Sequence, residues 1–192
     1  MTVPKPSLDS RKRNYLLLAL AVFVLDQWSK WWIEANLALH RPLEIIPGFL
    51  NLTHVQNPGV AFGLFAGLES PLRTLILTAL GLIALAVVGY YYAQVEASQR
   101  LLLAALALIV GGAVGNLTDR ILSGSVTDFI DAYFRSYHWH TFNVADSAIT
   151  IGVGFILWDS FRSPPAVPEE DAEPPEPGAS ERREPSEGSV AG

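Results

Sequence analysis

Four long, mostly apolar stretches dominate the 192-residue chain. A helix that crosses the hydrocarbon core of a bilayer needs roughly 20 apolar residues, because its backbone polar groups find no water there. A cleavable signal peptide does not account for the first stretch, because no convincing small-x-small cleavage site follows it. The sequence therefore predicts four transmembrane helices, at residues 15–35, 72–95, 101–122 and 141–161.

Charge is distributed unevenly along the chain. From Arg162 onward there are three Arg against eight Asp and Glu, so most of the formal net charge of −6 belongs to the C-terminal end. Residues 163–192 are rich in Pro, Glu, Ser and Gly, a composition typical of disorder. We therefore divide the chain into a basic N-terminus (residues 1–13), a four-span membrane domain (14–162) and a disordered acidic tail (163–192).

The basic run RKR at residues 11–13 sets the predicted orientation. Lys and Arg are enriched on the cytoplasmic side of membrane proteins, so this run should stay in the cytoplasm. With four crossings, both termini are then cytoplasmic. Trp28, Trp31 and Trp32 fit the opposite boundary of the first span, because tryptophan is common at membrane interfaces.

Two segments between the spans also have recognisable patterns. Residues 47–67 combine β-rich runs with an Asn-Pro-Gly turn signal, which indicates a small β element at the outer surface. In residues 126–137 apolar side chains recur at i, i+3, i+4 and i+7, which is typical of a short interfacial helix. The predicted fold is an α-helical membrane protein with four transmembrane helices, a small extracytoplasmic β element and a short interfacial helix.

Polar side chains occur at helical spacing in three of the four spans. Asp26 and Lys30 are four residues apart with the acid first, the favourable order for an ion pair on one helix face, and are expected to form a structural pair. With the predicted topology, the polar groups of the three spans lie at the same membrane face, and two more polar residues lie in the outer segments. One outward-facing cavity is expected to collect Asp26, Lys30, Asn57, Asn116, Asp119, Arg120, Asp128, Asn143 and Asp146.

Asp128 and Asp146 differ from the other charged residues of this set because neither has a neighbouring base in sequence. Two unbalanced acids that meet at a membrane boundary are hard to explain structurally, and we interpret them as functional. Arg120, beside Asp119, also fits an interface anchor, and Asp131 is expected to be a solvated neighbour.

Two carboxyl groups that share a water molecule can hydrolyse a peptide bond. Their mutual repulsion raises one pKa, so that one group is protonated and the other ionised near neutral pH. The ionised group takes a proton from water, which attacks the peptide carbonyl, and the protonated group donates to the developing oxyanion. The pattern therefore predicts aspartic proteolysis, with titration that belongs to the pair.

Other chemistries fit the sequence less well. Ser29 and Lys30 are adjacent, so on a helix they point about 100° apart, a poor geometry for a Ser–Lys dyad. There is no GxSxG or HExxH motif, and His138 with His140 supplies too few ligands for zinc, so we expect no metal and no cofactor. A proton- or ion-coupled transporter and a non-catalytic scaffold remain alternatives.

Five short motifs occur in a recognisable order between residues 14 and 161: DQWSK, NPGVAFG, GGAVGNLTDR, VTDFID and FNVADSAI. Together they resemble the motif set of the bacterial lipoprotein signal peptidases (signal peptidase II), four-span aspartyl proteases of the inner membrane. The chain differs at Ser29, where Thr is common, and at Val60, where Ala is common. Neither difference alters the chemistry.

The resemblance implies a function and a site. It makes Asp128 and Asp146 the catalytic dyad, and it implies that six further polar residues line or shape the site: Asp26, Lys30, Asn57, Asn116, Arg120 and Asn143. The implied substrates are prolipoprotein signal peptides, cut just before a diacylglyceryl-cysteine near the extracytoplasmic face. Membrane lipids are the other expected partners, and no nucleic acid is expected.

Overall fold

The computed structural model describes residues 10–59, 69–135 and 137–162, within which the chain forms four long helices and a four-stranded antiparallel sheet. The helices are α1 (Ser10–Asn36), α2 (Ser70–Gln94), α3 (Arg100–Ser123) and α4 (Val144–Arg162). The strands are β1 (Leu43–Ile46), β2 (Leu50–Asn57), β3 (Val126–Phe134) and β4 (Tyr137–His138). Each helix is long and apolar enough to cross a membrane, so the four predicted spans are confirmed, although α1 begins earlier than expected.

The three-part division of the chain stays a prediction. Residues 1–9 and 163–192, which include the proposed acidic tail, lie outside the described part of the chain.

Small residues on α3 let α1 and α4 pack closely against it. A methyl group on Gly111 would lie 2.5 Å from the Ala19 carbonyl oxygen of α1. A methyl group on Gly112 would lie 2.4 Å from the Ala145 carbonyl oxygen of α4. Close backbone approach at small residues is a common way for membrane helices to associate. The glycines therefore make α3 the central helix between α1 and α4.

The helix ends sort into two groups along the bundle. At one end, the Tyr92 hydroxyl of α2 donates to the Lys12 carbonyl oxygen of α1, and Lys12 Nζ donates to the Ala93 carbonyl oxygen at 2.9 Å. This end also holds the start of α3 and the end of α4. The sheet lies at the other end, where the polar residues of α1, α3 and α4 are also found.

A left-handed residue ends α3 and leads the chain into the sheet. Gly124 has a φ of 77°, a conformation that suits glycine, and its N–H donates to the Arg120 carbonyl oxygen at 3.1 Å. The strand order is β1-β2-β3-β4, and β3 pairs with β2 through registers such as Val55 opposite Asp128. The predicted β element is confirmed by β2, whose partner β1 lies before the predicted segment, while residues 60–67 of that segment lie outside the described residues.

The predicted interfacial helix at residues 126–137 is wrong, because most of that segment is strand β3. Its first four residues are all buried, so the segment does not show the two-residue alternation of a half-exposed strand. The apolar spacing was equally compatible with a short helix, and β2, which lies far away in sequence, decides the conformation by hydrogen-bonding to β3.

Candidate active site

Lys30 lies at the centre of a buried ion cluster near the sheet end of the helices. Its Nζ is 2.8 Å from Asp26 Oδ2, which confirms the predicted pair on α1. It is also 2.8 Å from Asp119 Oδ2 on α3 and donates to Asn116 Oδ1 at 2.9 Å. Because the Lys30 side chain is only 3% exposed, these three oxygens replace the water that its ammonium group would otherwise bind.

Asp119 is a member of this cluster that the sequence placed in the outward-facing cavity without assigning it a role. Its carboxylate binds Lys30 and also accepts a hydrogen bond from Gln27 Nε2 at 2.9 Å. Gln27 was missed as well. Its place beside Asp26 in the first span gave no signal that it reaches α3.

Asp26 connects the first helix to the last. Its Oδ1 accepts a hydrogen bond from the Ala145 N–H in the first turn of α4, at 2.9 Å. The negative charge of Asp26 is favourable there, because the first N–H groups of a helix lack partners within the helix. A methyl group on Gly115 would lie 2.4 Å from Asp26 Oδ2, so this contact needs glycine on α3.

Asn143 caps α4 through a reciprocal pair of hydrogen bonds with Asp146. Asn143 Oδ1 accepts from the Asp146 N–H at 2.9 Å, and the Asp146 carboxylate accepts from the Asn143 N–H at 3.3 Å. This is the geometry of a capping box, with the acid three residues after the cap. The local sequence Asn-Val-Ala-Asp thus starts the helix and fixes Asp146 at its first turn.

The same asparagine holds Asp128. Asn143 Nδ2 donates to Asp128 Oδ1 at 2.7 Å, and Asn57 Nδ2 donates to Asp128 Oδ2 at 2.8 Å. On the other acid, Asn116 Nδ2 donates to Asp146 Oδ1 at 2.7 Å. Asn143 therefore binds both predicted catalytic acids, one through its side chain and the other mainly through its backbone.

The surroundings of Asp128 favour its protonated form. Burial, the largest cause, and the negative charge of Asp146 raise the pKa of the Asp128 carboxyl from 3.8 to about 6, against opposing effects of Asn57, Asn143 and Lys30. Asp128 is 2% exposed, which explains why burial is the largest cause. The sequence predicted repulsion between the acids as the main cause, and in the structure that repulsion is the smaller effect.

Asp146 opens onto a groove that Asp128 does not line. The groove has a volume of about 420 Å³ and runs along the first two turns of α4 beneath the segment that follows β4. Its lining consists of Trp139, His140, Thr141, Phe142, Asp146, Ser147, Thr150 and Ile151. A peptide chain in this groove would contact Asp146, because Asp146 is one of the lining residues.

Arg120 lies near the acids without forming an ion pair within the described residues. Its Nη1 donates to the Asn116 carbonyl oxygen one turn earlier on α3, at 3.3 Å. The negative charges of Asp146, Asp128 and Asp119 all act on its guanidinium group. The structure thus brings all eight predicted site residues to one region, with Arg120 beside the hydrogen-bonded network.

A second polar chain, missed by sequence reasoning, ties β3 to α1. Thr127 Oγ1 donates to the Glu34 carboxylate and accepts from Gln56 Nε2 at 3.0 Å. Ser125 Oγ donates to Gln56 Oε1 at 2.7 Å. Glu34 continues the four-residue spacing of Asp26 and Lys30, a signal in the sequence that could have found it.

Asp131 is not the solvated neighbour that the sequence suggested. Its side chain is 13% exposed, accepts from Asn51 Nδ2 at 3.0 Å and lies 2.8 Å from His138 Nδ1. Asp131 therefore joins strands β2, β3 and β4, outside the network that contains Asp128.

Comparison with known proteins decides the family. Residues 18–162 match the family described as signal peptidase (SPase) II. The chain belongs to the signal peptidase II family. It is 46% identical over 157 residues to the lipoprotein signal peptidase of Solibacter usitatus, covering 80% of this chain and 93% of that protein. It is 43% identical to the lipoprotein signal peptidase of Syntrophus aciditrophicus over 145 residues, covering 76% and 90% of the two chains.

A solved structure agrees with the fold of this signal peptidase II family member. It is described as a bacterial membrane enzyme studied by the in meso method at 1.9 Å resolution, and it superposes with a TM-score of 0.70 at 32% identity. The match covers 79% of this chain and 94% of that chain. The chain is thus a peptidase of the signal peptidase II type, which decides against the transporter and scaffold alternatives. The family match includes every predicted site residue.

Proposed function

We propose that the protein is a membrane-embedded aspartic endopeptidase that removes signal peptides from lipid-modified prolipoproteins. Asp128 and Asp146 are its catalytic dyad. The observation that supports this assignment best is the arrangement around Asn143, which hydrogen-bonds to both carboxyl groups although they are far apart in sequence. No metal or cofactor takes part in the proposed chemistry.

In the first half of the reaction, Asp128 is the acid and Asp146 the base. The raised pKa of Asp128, about 6, supports the assignment of the shared proton to this residue. The Asp146 carboxylate takes a proton from a water molecule as its oxygen attacks the peptide carbonyl carbon. Asp128 gives its proton to the carbonyl oxygen, so a neutral tetrahedral diol forms.

In the second half, the carbon–nitrogen bond breaks. Asp146, now protonated, gives its proton to the departing amine, and Asp128 takes a proton back from one hydroxyl as the carbonyl forms again. The dyad thereby returns to its starting state. Asn57, Asn116 and Asn143 keep the two carboxyls oriented through amide donors at 2.7 to 2.8 Å.

The remaining predicted site residues act on this network from outside. Lys30 binds Asn116 Oδ1, whose amide group in turn donates to Asp146, and Asp26 holds both Lys30 and the first turn of α4. We assign Arg120 to the polar part of the substrate, because its positive charge lies close to the dyad.

We further propose that the scissile bond precedes a diacylglyceryl-cysteine and that cleavage occurs near the extracytoplasmic face. The dyad lies at the sheet end of the bundle, where the backbone of a membrane-inserted precursor leaves the hydrocarbon region. The basic run at residues 11–13 belongs to the opposite end, which supports cytoplasmic termini.

Cleavage of a diacylglyceryl-modified precursor by the purified protein tests the proposal. Asp128→Asn and Asp146→Asn should each lower the cleavage rate at least about a hundredfold, because either change removes a proton-transfer group. An unmodified precursor should be cleaved much more slowly than the modified one.

Asp131→Asn is the matched control, since Asp131 lies three residues from Asp128 on β3 and the change removes the same charge. Its hydrogen bonds to Asn51 and His138 lie outside the dyad network, so the variant should keep most of the activity. Parent-like cleavage by folded Asp128→Asn or Asp146→Asn protein would rule out the dyad.

A further inference from the structure

A groove between α3 and α4 extends to the end of the bundle opposite the sheet. It has a volume of about 600 Å³ and is lined by Leu101, Ile151, Gly154, Phe155, Trp158 and Arg162. We call it the α3–α4 groove. Five of its six lining residues are apolar or glycine, and the exception, Arg162, is the last residue of α4. The groove therefore runs along a membrane-spanning part of the bundle and has a cation at the membrane boundary.

The open depth of the groove depends on Gly154. Apart from its chain neighbours and the nearby backbone of its own helix, a methyl group at this position would have no protein atom within 4 Å. Because Gly154 lines the groove, a larger side chain at residue 154 is expected to take up part of the groove volume. The space beside Gly154 is available to a flexible apolar chain.

The positive charge of Arg162 is not neutralised within the described part of the chain. Its guanidinium carbon lies 6.0 Å from the centre of the Trp158 ring, a cation–π contact that keeps the charge beside the groove. None of the ion pairs of residues 10–59, 69–135 and 137–162 includes Arg162. Asp159, on the same helix, is not among the lining residues. Arg162 is therefore the charged residue among those that line the groove.

We propose that the α3–α4 groove binds an anionic phospholipid, with an acyl chain beside Gly154 and the phosphate group on Arg162. Arg162 offers several N–H donors to the phosphate oxygens, and Trp158 fits the headgroup level. Zwitterionic phospholipids fill the groove less well, because their headgroups carry a positive charge as well as the phosphate. Arg162, the proposed phosphate ligand, lies at the far end of the bundle from the dyad, whereas Ile151 lines both this groove and the groove beside Asp146. Lipid binding does not depend on the proposed peptidase chemistry.

Native mass spectrometry of the full chain tests this site. The protein is equilibrated with equal amounts of phosphatidylglycerol and phosphatidylcholine that have identical acyl chains, and the ratio of the two retained lipids is measured. The parent should retain an excess of phosphatidylglycerol. Arg162→Gln should lower that preference about fivefold, the effect of one basic residue near anionic lipid. Arg162→Lys should keep most of it.

Two matched controls separate the site from general effects of charge and shape. Arg135 also stacks on an aromatic ring, 5.5 Å from the centre of Phe134, but lies at the sheet end, so Arg135→Gln should leave the ratio unchanged. Gly154→Leu should lower retention of both lipids. Gly89→Leu on α2, where an added Cβ also meets open space, should not.

Several outcomes would overturn the proposal. One is equal retention of the two lipids by the parent. Another is an equal loss of preference in Arg135→Gln and Arg162→Gln. A lipid-free dimer of the parent that becomes monomeric in Gly154→Leu would assign the groove to a second copy of the chain instead.

Discussion

Replacing Lys30 with Met should strongly destabilise the protein. The substitution keeps most of the apolar stem of the side chain and removes the charge that balances Asp26 and Asp119. Asp26 is fully buried and cannot recover water, so its charge stays uncompensated. Removing one partner of a buried ion pair costs about 3–5 kcal/mol.

The remaining contacts of Asp26 and Asp119 put the expected loss of unfolding free energy for Lys30→Met at the lower end of that range. Asp26 keeps its hydrogen bonds from the Ala145 N–H, at 2.9 Å, and from Gln27 Nε2, at 3.2 Å. Asp119 is 11% exposed and keeps its bond from Gln27. We therefore expect a loss of about 3 kcal/mol, which for a chain of this size lowers the midpoint of thermal unfolding by roughly 6–12 °C.

Thermal and denaturant unfolding in one detergent measure the effect. Lys12→Met is the matched control, because Lys12 is also on α1 and its Nζ also donates to an oxygen, but in an exposed position. Its effect should stay within about 0.5 kcal/mol. The double variant Asp26→Asn/Lys30→Met should recover part of the loss, since it removes both charges of the pair. If Lys30→Met and Lys12→Met had the same unfolding midpoints, the ion cluster would not stabilise the fold as argued.

Three further predictions follow from the geometry. The pKa of Asp128 is raised from 3.8 to about 6 in the folded protein, mainly by burial. The stability that this group contributes is therefore fully present below pH 3.8 and is lost as the pH rises through about 6. The loss is roughly 3 kcal/mol, and denaturant titrations between about pH 4 and pH 8 should show it in the parent but not in Asp128→Asn. Gly115→Ala should lower the free energy of unfolding by about 1–3 kcal/mol, because its Cβ would lie 2.4 Å from Asp26 Oδ2. Gly89→Ala is the control, because the added Cβ meets open space there, and its free energy of unfolding should equal or exceed that of the parent. Thr127→Val should cost about 1 kcal/mol of unfolding free energy and slow cleavage, because it removes the link between β3 and Glu34; an unchanged rate would contradict a positioning role.

The spans and the polar pairs were predictable because each depends on residues close in sequence. A transmembrane helix satisfies its own backbone, so its apolar stretch reveals it without knowledge of any partner. The pair of Asp26 and Lys30 follows from helical spacing in the same way. The convergence of Asp128 and Asp146 required one more step, a topology that puts the polar ends of three spans at one side.

The conformation of residues 126–134 was not predictable by the same reasoning. Strand β3 exists because β2 supplies its hydrogen bonds, and nothing within the segment identifies that partner. The contact of Asp119 with Lys30 joins α3 to α1 and depends on the rotation of both helices. Contacts between distant elements thus account for what was missed, including the link from Thr127 to Glu34.

The dual role of Asn143 has a consequence for biosynthesis. A nascent chain that has delivered only its first three membrane segments from the ribosome contains Asp128 but neither the amide that orients it nor the second acid, which both enter with the last segment. On the proposed mechanism, chains truncated before the last segment therefore cannot cleave neighbouring precursors. Proteolytic activity arises only when the last segment has been inserted.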